Sequence, residues 1–319
     1  MKILSCDWGT SNFRLYLIES ENGACLHQLS TNDGIGPLMA KKDKEEAALG
    51  YFLNHLKAQI AIIVQSTSTN LQGIPVLISG MASSSIGMKE LAYAKLPFRI
   101  SGEDLVWEKI PSTINMPHDI YLLSGLASEN DVMRGEETQL VGMQNQFSFN
   151  QSVFLLPGTH SKHIYIENKK VTQFSTFMTG ELFHISATHS ILSHTVQASA
   201  IEHADAMAAF KNGVHLAKEK NYLEALFKVR TNTLLQGLAP QLNYCFLSGL
   251  HIGYELKTLI HLPRACQIII CGGAQLSLLY RVALDQFDLQ NQSDVIPAAT
   301  ASMATVFGHL AILPALIAD

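Results

Sequence analysis

The chain has 319 residues, of which 47% are hydrophobic and only 15% are charged. This length predicts two domains, and this composition excludes an intrinsically disordered chain, which needs high charge and few apolar residues. The net charge of −5, without a dense basic stripe, argues against a general nucleic-acid-binding protein.

The cysteines and the two ends of the sequence bear on location. The five cysteines are scattered, without a Cys-x-x-Cys spacing, which indicates reduced thiols rather than disulfides or a zinc site. The apolar run after Lys2 is too short for a signal peptide. The stretch 300–318 contains Ser302, His309 and Pro314, which favours a packed helix over a membrane span. We therefore expect a cytoplasmic protein that binds neither membranes nor nucleic acid.

The first half of the chain alternates strand and helix signals. Apolar runs at 2–6, 13–18 and 25–29 predict three strands, and a cluster of turn-forming residues at 7–12 joins the first two. The further elements predicted in this half are a helix at 44–63, a strand at 75–79, an irregular excursion at 96–117, a strand at 120–124 and a helix within 128–143.

A polar segment at 144–151 marks a predicted domain boundary, because the same pattern then starts again. The elements predicted after it are strands at 153–156, 163–167 and 171–177, a long helical region at 181–262, a strand at 267–270, a helix from about 275, a strand at 294–297 and a helix from 300. The sequence thus predicts domains 1–145 and 146–319, with the helix 300–315 packing back on domain one.

The opening turn of each half has the residue types of a phosphate-binding nest. Consecutive amides in a tight turn can point at one phosphate, and glycine lets the phosphate approach the main chain. The candidate residues are Gly9, Thr10, Ser11 and Asn12 in the first turn, and Gly158, Thr159, His160 and Ser161 in the second. Either turn taken alone is equally typical of an ordinary hairpin.

Charged side chains flank both turns. Asp7 ends the first predicted strand, where its carboxylate could hold Mg²⁺. Lys162 follows the second turn and could neutralise charge on a transferred phosphoryl group, although a solvated lysine is the simpler interpretation.

A Gly-Gly turn and an acidic cluster are further candidates. Gly272, Gly273 and Ala274 lie between a predicted strand and helix, where a flat ligand could rest on the backbone, although a turn that only lets the helix pack on its strand is the simpler interpretation. The candidate general bases are Glu136, Glu137 and Asp131, preferred in that order. Adjacent acids on a helix point about 100° apart, so at most one of the two glutamates should reach the reacting hydroxyl. The alternative is that these acids only complement the helix dipole.

Five motifs together resemble the 2-dehydro-3-deoxygalactonokinase family, within the superfamily of sugar kinases, hexokinase and actin. They are Asp-Trp-Gly-Thr-Ser-Asn-x-Arg (7–14), Ser-Gly-Met (79–81), Asp-Val-Met-Arg-Gly-Glu-Glu-Thr-Gln (131–139), Leu-Pro-Gly-Thr-His-Ser-Lys (156–162) and Met-Thr-Gly-Glu-Leu-Phe (178–183). The P-loop, the Gly-x-Gly-x-x-Gly fingerprint and the Gly-x-Ser-x-Gly elbow are absent, which disfavours their enzyme classes.

The resemblance implies an α/β fold of two actin-like (ribonuclease H-like) domains with an interdomain cleft. It implies transfer of the ATP γ-phosphoryl group, with Mg²⁺, to the 6-hydroxyl of 2-dehydro-3-deoxy-D-galactonate. The cofactor-binding residues it implies include Asp7 as metal ligand, Arg14, and an adenosine site at Gly272, Gly273 and Ala274. The sugar acid is placed at Ser79, Gly80, Met81, Thr179, Gly180 and Glu181.

Two other functions stay open at the level of the sequence. The Gly-Glu-Glu helix also resembles that of exopolyphosphatases, so a phosphohydrolase is an alternative function. The net charge of −5 disfavours the basic channel that a polyanionic substrate would need. A non-catalytic sensor of sugar acid and nucleotide is the third possibility, which the presence of Asp7, Glu136 and Lys162 makes less favoured. The expected partners are small molecules, and a homodimer is left open.

Overall fold

The structure is a computed structural model that describes residues 1–147 and 150–318. In chain order its strands are β1 (Lys2–Trp8), β2 (Phe13–Glu19), β3 (Ala24–Thr31), β4 (Val76–Gly80), β5 (Ala94–Lys95), β6 (Phe98–Arg99), β7 (Trp107–Ile110), β8 (Ile120–Leu123), β9 (Leu126–Ala127), β10 (Val132–Met133), β11 (Gln151–Leu156), β12 (Ser161–Glu167), β13 (Lys170–Phe177), β14 (Gln267–Ile270) and β15 (Ser293–Val295). Its α-helices are α1 (Ile35–Lys41), α2 (Ala48–Thr67), α3 (Glu136–Gly142), α4 (Thr179–His189), α5 (Ala204–Glu219), α6 (Tyr222–Gln236), α7 (Pro240–Leu256), α8 (Ala274–Asp285), α9 (Ala298–Ser302) and α10 (Ala304–Ala318).

Internal contacts divide the described chain into two compact units. Unit 1 comprises residues 1–147, 169–173 and 303–318, and unit 2 comprises residues 150–168 and 174–302. Helix α10 therefore belongs to unit 1, where it contacts α3 and β1. The limits 1–145 and 146–319 stay a prediction for the functional domains.

Unit 1 is built on a mixed sheet with the strand order β3-β2-β1-β4-β8-β7. β1 and β2 are antiparallel, as are β2 and β3, whereas β4 and β8 add in parallel to β1. Helix α2 covers this sheet with Phe52, Leu56, Ile60 and Ile63, whose spacing forms one apolar helix face. The central strands β1, β4 and β8 are thus largely buried, and their carboxyl ends lie at one edge of the sheet.

Unit 2 contains a second sheet, with the strand order β15-β14-β11-β12-β13. β11 and β12 are antiparallel, whereas β14 and β15 add in parallel to β11. The first residues of β13 belong to unit 1, where Lys170 and Val171 pair with Arg99 and Phe98 of β6. Helices α5 and α7 pack closely together in the core of unit 2.

Apart from the edge strands β7 and β6, the two sheets place five strands in the same order, β3-β2-β1-β4-β8 in unit 1 and β13-β12-β11-β14-β15 in unit 2. In each sheet the last two of these strands are parallel to the middle one. This repeated topology is that of the actin-like, ribonuclease H-like fold. The predicted fold class is therefore confirmed, including the antiparallel hairpin that opens each half.

Several predicted elements differ from those observed. The excursion 96–117 was expected to be irregular but contains β6 and β7, and a small sheet β10-β9-β5 lies nearby. β6 has two residues and β7 has four, so neither is long enough to produce a clear sequence period, which explains the error. Helix α1 was not predicted because Gly36 and Pro37 in its first turn mask its signal. The helical region 181–262 divides into α4 to α7, and the last long helix starts at Ala304 rather than 300.

None of the described helices is both long enough and apolar enough to cross a bilayer.

Candidate active site

The turn between β1 and β2 presents free backbone amides at the surface. Gly9 donates its amide to the carbonyl of Asn12 (2.9 Å), and amides of residues 34–36 bond to the carbonyls of Gly9, Thr10 and Ser11. These bonds hold the turn through its carbonyls. Thr10, Ser11 and Asn12 are exposed residues, and their backbone amides have no acceptor among the described residues. The first turn can therefore receive an anion, through these three amides rather than through that of Gly9.

Asp7 lies beside this turn, opposite Arg14 in the β1–β2 register. Arg14 Nη1 donates to Asp7 Oδ2 at 2.9 Å, and the Asp7 side chain is only 16% exposed. Burial raises the pKa of Asp7, and the charge of Arg14 opposes this rise. The described residues contain no group of three or more metal-ligating side chains. Since Mg²⁺ is commonly held by one or two carboxylates together with substrate phosphates, Asp7 fits a metal that arrives with a nucleotide.

Close backbone contacts join the ends of β1 and β4 to the start of α3. Gly80 has a φ of +98°, and a Cβ there would lie 2.6 Å from the carbonyl oxygen of Trp8. Gly135 has a φ of +111°, and its Cβ position lies 3.4 Å from Gly80 Cα. Only glycine allows both the conformation and the contact. The structure therefore brings Asp7, Gly80 and Glu136, from three separate motifs, to one edge of the sheet.

The two adjacent glutamates of α3 have different environments. Glu136 is partly exposed, and its Oε2 accepts the backbone amide of Arg134 at 2.9 Å. Glu137 is fully buried, and its two oxygens accept the amide of Gly135 at 3.0 and 2.8 Å. Glu137 therefore neither pairs with the Arg134 side chain nor faces solvent. Asp131 lies in the preceding turn, where its Oδ1 accepts the amide of Val132 at 2.7 Å.

A buried hydrogen-bonded chain extends from Glu137 into the core of unit 1. Thr138 Oγ1 donates to Glu137 Oε1 (3.1 Å) and bonds Ser79 Oγ at 2.8 Å. His309 then connects Ser79 (2.8 Å from Nε2) to Ser5 (2.7 Å from Nδ1). Burial lowers the pKa of His309 to about 3, so the imidazole is neutral.

This chain bears on the residues predicted for the sugar acid. The Ser79 hydroxyl is buried and already engaged, so Ser79 would act on a substrate through the adjacent Gly80. Met81, which is partly exposed, begins a single 3₁₀ turn at Met81–Ser83. The sequence did not single out His309 or Thr138. The available signal was that His309 is the one ionisable residue in the apolar helix α10.

Glu137 gives unit 1 a pH-dependent stability. Burial, and then repulsion from Glu136, raises the pKa of Glu137 from 4.5 to about 8. The folded state thus binds more protons than the unfolded state between these two values, so the contribution of this group falls as pH rises from 4.5 to about 8. We expect Glu137→Gln to flatten the pH dependence of stability in this range. Urea unfolding of both proteins at pH 5 and pH 8 measures the effect, and equal slopes would contradict it.

The second turn, between β11 and β12, resembles the first in its free amides. The Gly158 amide donates to Ser161 Oγ at 3.3 Å, whereas the backbone amides of Thr159 and His160, which are exposed residues, have no acceptor among the described residues. Lys162 lies on β12 and is 5% exposed, so it is not a solvated lysine. The second turn offers two amides to an anion.

The start of α4 packs against this second turn. His160 Nε2 lies 2.5 Å from Glu181 Oε2, and the Glu181 amide donates to the Thr159 carbonyl at 3.1 Å. A Cβ on Gly180 would lie 2.6 Å from the carbonyl oxygen of Gly158. Thr179, Gly180 and Glu181 were predicted to bind the sugar acid. Within unit 2 they pack against the second turn. Their contact with a sugar acid stays a prediction.

A buried carboxylate, that of Glu255 on α7, connects β12, α4 and α8 next to the second turn. Glu255 Oε1 bonds His163 Nε2 at 2.9 Å, and Oε2 accepts the hydroxyls of Tyr280 (2.7 Å) and Thr179. Tyr280 also bonds Ser161 Oγ at 2.9 Å. Glu255 was missed by sequence reasoning, although it is the only acid in the apolar helix α7.

The Gly-Gly turn completes the same corner of unit 2. The Cβ position of Gly272 lies 3.4 Å from Pro157 of the second turn, and that of Gly273 meets nothing within 4 Å. The neighbouring Ser277 hydroxyl is buried without a hydrogen-bond partner. Ala274 begins α8 directly after this open ledge.

Each actin-like unit has free amides in its first hairpin, and unit 1 also has the Asp7 carboxylate near the end of β1. These features define a phosphoryl-transfer protein of the actin-like class. Comparisons with known proteins make the class more specific. The family model of 2-keto-3-deoxy-galactonokinase matches residues 7–307.

Individual relatives agree with this match. A probable 2-dehydro-3-deoxygalactonokinase of Rhizobium meliloti (strain 1021) is 36% identical over 286 residues, which cover 88% of this chain and 87% of the relative. The 2-dehydro-3-deoxygalactonokinase of Escherichia coli (strain K12) is 28% identical, over 88% of this chain and 89% of its own. A crystal structure assigned as a 2-dehydro-3-deoxygalactonokinase protein from Sinorhizobium meliloti matches with a TM-score of 0.79 and 31% identity, over 98% of this chain and 99% of that chain.

The chain therefore belongs to the 2-keto-3-deoxy-galactonokinase family. It is a sugar-acid kinase, a phosphotransferase with an alcohol group as acceptor.

Proposed function

We propose that the protein transfers the γ-phosphoryl group of ATP to the 6-hydroxyl of 2-dehydro-3-deoxy-D-galactonate. The observation that carries the proposal is the set of backbone amides without acceptors at exposed residues of both hairpins, Thr10–Asn12 and Thr159–His160. Phosphoryl transfer depends mainly on positioning and on charge stabilisation, which such donors supply. Family membership supports the substrate.

The residues of unit 1 receive the following roles. Asp7 holds Mg²⁺ bound to the nucleotide, and the metal would neutralise charge on the phosphates. Arg14 fixes the Asp7 carboxylate and leaves its second oxygen for this contact. Glu136 accepts the proton of the attacking hydroxyl, since it is exposed enough to reach a substrate and Glu137 is not. Gly80 and Met81 border the acceptor.

The residues of unit 2 bind the nucleotide. Gly272, Gly273 and Ala274 provide an open ledge for adenosine beside the second turn. Lys162 supplies positive charge on the strand that leaves this turn, and Thr179–Glu181 hold the turn in place. A cytoplasmic location belongs to the proposal, because ATP and reduced thiols are found there; all five cysteines are free.

The direct test is ADP release measured with ATP and Mg²⁺ over several keto-deoxy sugar acids. We expect release only with an acceptor, and a product with phosphorus on the 6-oxygen by ³¹P–¹H correlation. Comparison of the galacto and gluco acids then gives the configuration preferred. Phosphate release without any acceptor would favour the phosphohydrolase, and tight nucleotide binding without turnover would favour the sensor.

The Glu255 cluster predicts an effect on ATP rather than on the acceptor. Glu255→Gln removes the negative charge that accepts the hydroxyls of Tyr280 and Thr179, and its amide donor must face either these hydroxyls or His163. Hydrogen bonds to charged groups are strong enough that loss of one should raise the KM for ATP about tenfold. The KM for the sugar acid should change little.

Asn243→Ala is the matched control for this variant. Asn243 is also buried on α7, but it bonds Thr195, Val229 and Thr233 and does not contact the residues around the second turn. The Asn243→Ala substitution should lower the melting temperature without changing the KM for ATP. Equal kinetic behaviour of the two variants would reduce Glu255 to a stability role.

A further inference from the structure

Arg134 is a partly buried arginine whose side-chain partners among the described residues are Ser83 and Tyr93, neither of them acidic. Its guanidinium lies over the ring of Tyr93, 4.1 Å from the centroid. Its Nη1 donates to the carbonyl oxygen and to Oγ of Ser83, both at 2.6 Å. Its Nε is buried and has no hydrogen-bond partner. Since buried polar groups in proteins are normally hydrogen-bonded, the Nε lacks a partner that an anion at this edge of the guanidinium would supply.

The position of Arg134 places this guanidinium beside the proposed site. Arg134 precedes Gly135, which contacts Gly80, and its backbone amide bonds Glu136. Arg134 and Glu136 are two residues apart, so their backbones lie within about 7 Å of each other. A substrate that reaches Glu136 is therefore within range of the Arg134 side chain.

The geometry points to Arg134 as the residue that binds the carboxylate of the sugar acid and selects an acid over the matching neutral sugar. The inference rests on the proposed function in that the acceptor is a sugar acid. The Nε and Nη2 hydrogens of a guanidinium are parallel and match the two oxygens of one carboxylate. Nη1 is held by Ser83 and the plane by Tyr93, so the guanidinium is fixed before the ligand arrives.

The other arginine at this edge of unit 1 does not offer the same contact. Arg14 already pairs with Asp7, and the proposed role of that carboxylate depends on the pair. Arg134 thus supplies recognition at the acidic end of the substrate, and Glu136 supplies the chemistry at the hydroxyl end.

The test compares two acceptors in wild type and in Arg134→Met. One acceptor is 2-dehydro-3-deoxy-D-galactonate, and the other is the matching 3-deoxyketohexose, in which a hydroxymethyl group replaces the carboxylate. We expect Arg134→Met to lower kcat/KM about a hundredfold for the acid, mainly through KM, since it loses a charge-assisted bidentate contact. The constant for the ketohexose should stay within about threefold, so the preference for the acid collapses.

Arg134→Lys and Arg230→Met complete the design. Lysine keeps the charge but not the planar fork, so about a tenfold loss is expected for the acid, and this variant serves if Arg134→Met fails to fold. Arg230 is a unit 2 arginine that bonds only the Ile191 carbonyl at 3.4 Å among the described contacts, and its substitution should change neither constant. Calorimetric binding of the acid without nucleotide should follow the same order.

The outcomes separate the inference from the proposed function. An equal loss for both acceptors in the Arg134 variants would make Arg134 a structural support of Ser83 and overturn the inference. An unchanged constant for the acid, or a wild type without preference for the acid, would overturn it as well. Failure of the wild type to phosphorylate the acid at all would count against the proposed function instead.

Discussion

Replacement of Glu136 by glutamine should lower kcat at least about a hundredfold while nucleotide binding persists, because a positioned general base contributes typically 10²–10⁴-fold. Glu136 is the partly exposed acid at the start of α3, and its Oε2 is oriented by the Arg134 amide. Glutamine keeps this contact possible but cannot accept a proton. The measurement is kcat with ATP and sugar acid both saturating, together with nucleotide affinity by fluorescence titration.

The kcat of Glu137→Gln is the comparison that shows which of the two glutamates is the general base. A pKa of about 8 would suit a base at neutral pH. Geometry favours Glu136 over Glu137 in the proposed role, because the Glu137 carboxyl is fully buried and accepts the Gly135 amide. We expect a much smaller loss of kcat for this variant. A near-normal kcat in Glu136→Gln with a large loss in Glu137→Gln would move the role of base by one residue.

Asp7→Asn should reduce kcat/KM by about a hundredfold or more and change stability little, since a metal contributes several kcal/mol to the stabilisation of transferred phosphoryl groups. The small effect on stability follows from two opposing terms. Loss of the Arg14 pair destabilises modestly, and relief of a buried charge compensates for it. The Mg²⁺ concentration for half-maximal rate should rise in the variant.

Asp104→Asn is a suitable control for this experiment. Asp104 is another carboxylate of unit 1 paired with an arginine, Arg99, and its side chain is 27% exposed. It should leave turnover and the Mg²⁺ dependence as in wild type. If Asp7→Asn unfolds the protein without any separate catalytic loss in the folded fraction, the assignment of Asp7 as metal ligand is wrong.

Local chemistry explains what could be predicted from the sequence. Turn-forming residues such as Gly, Thr, Ser and Asn between apolar runs predicted the two hairpins, because the residues of each turn are adjacent in the chain. The restart of the strand-turn-strand pattern after residue 151 predicted the second sheet for the same reason. The roles of the individual residues stay predictions until they are tested.

The supporting network could not be predicted because its contacts are distant in sequence. His309 bonds Ser5 across 304 positions, and Glu255 reaches His163 across 92. A buried polar residue in an apolar helix signals that a partner exists but not which one. The packing of Gly80 against Trp8 is hidden in the same way, since nothing local requires it.

The assignment of α10 to unit 1 has a consequence for folding during synthesis. Residues 1–147 leave the ribosome long before residues 303–318, which supply the His309 contacts to Ser5 and Ser79. Until then, two buried hydroxyls of the first sheet lack their partner, and the face of α3 that α10 covers stays open to water. The core of the nascent unit 1 therefore stays incomplete until all of unit 2 has been translated. This interval is when the chain is most exposed to aggregation and to chaperone binding.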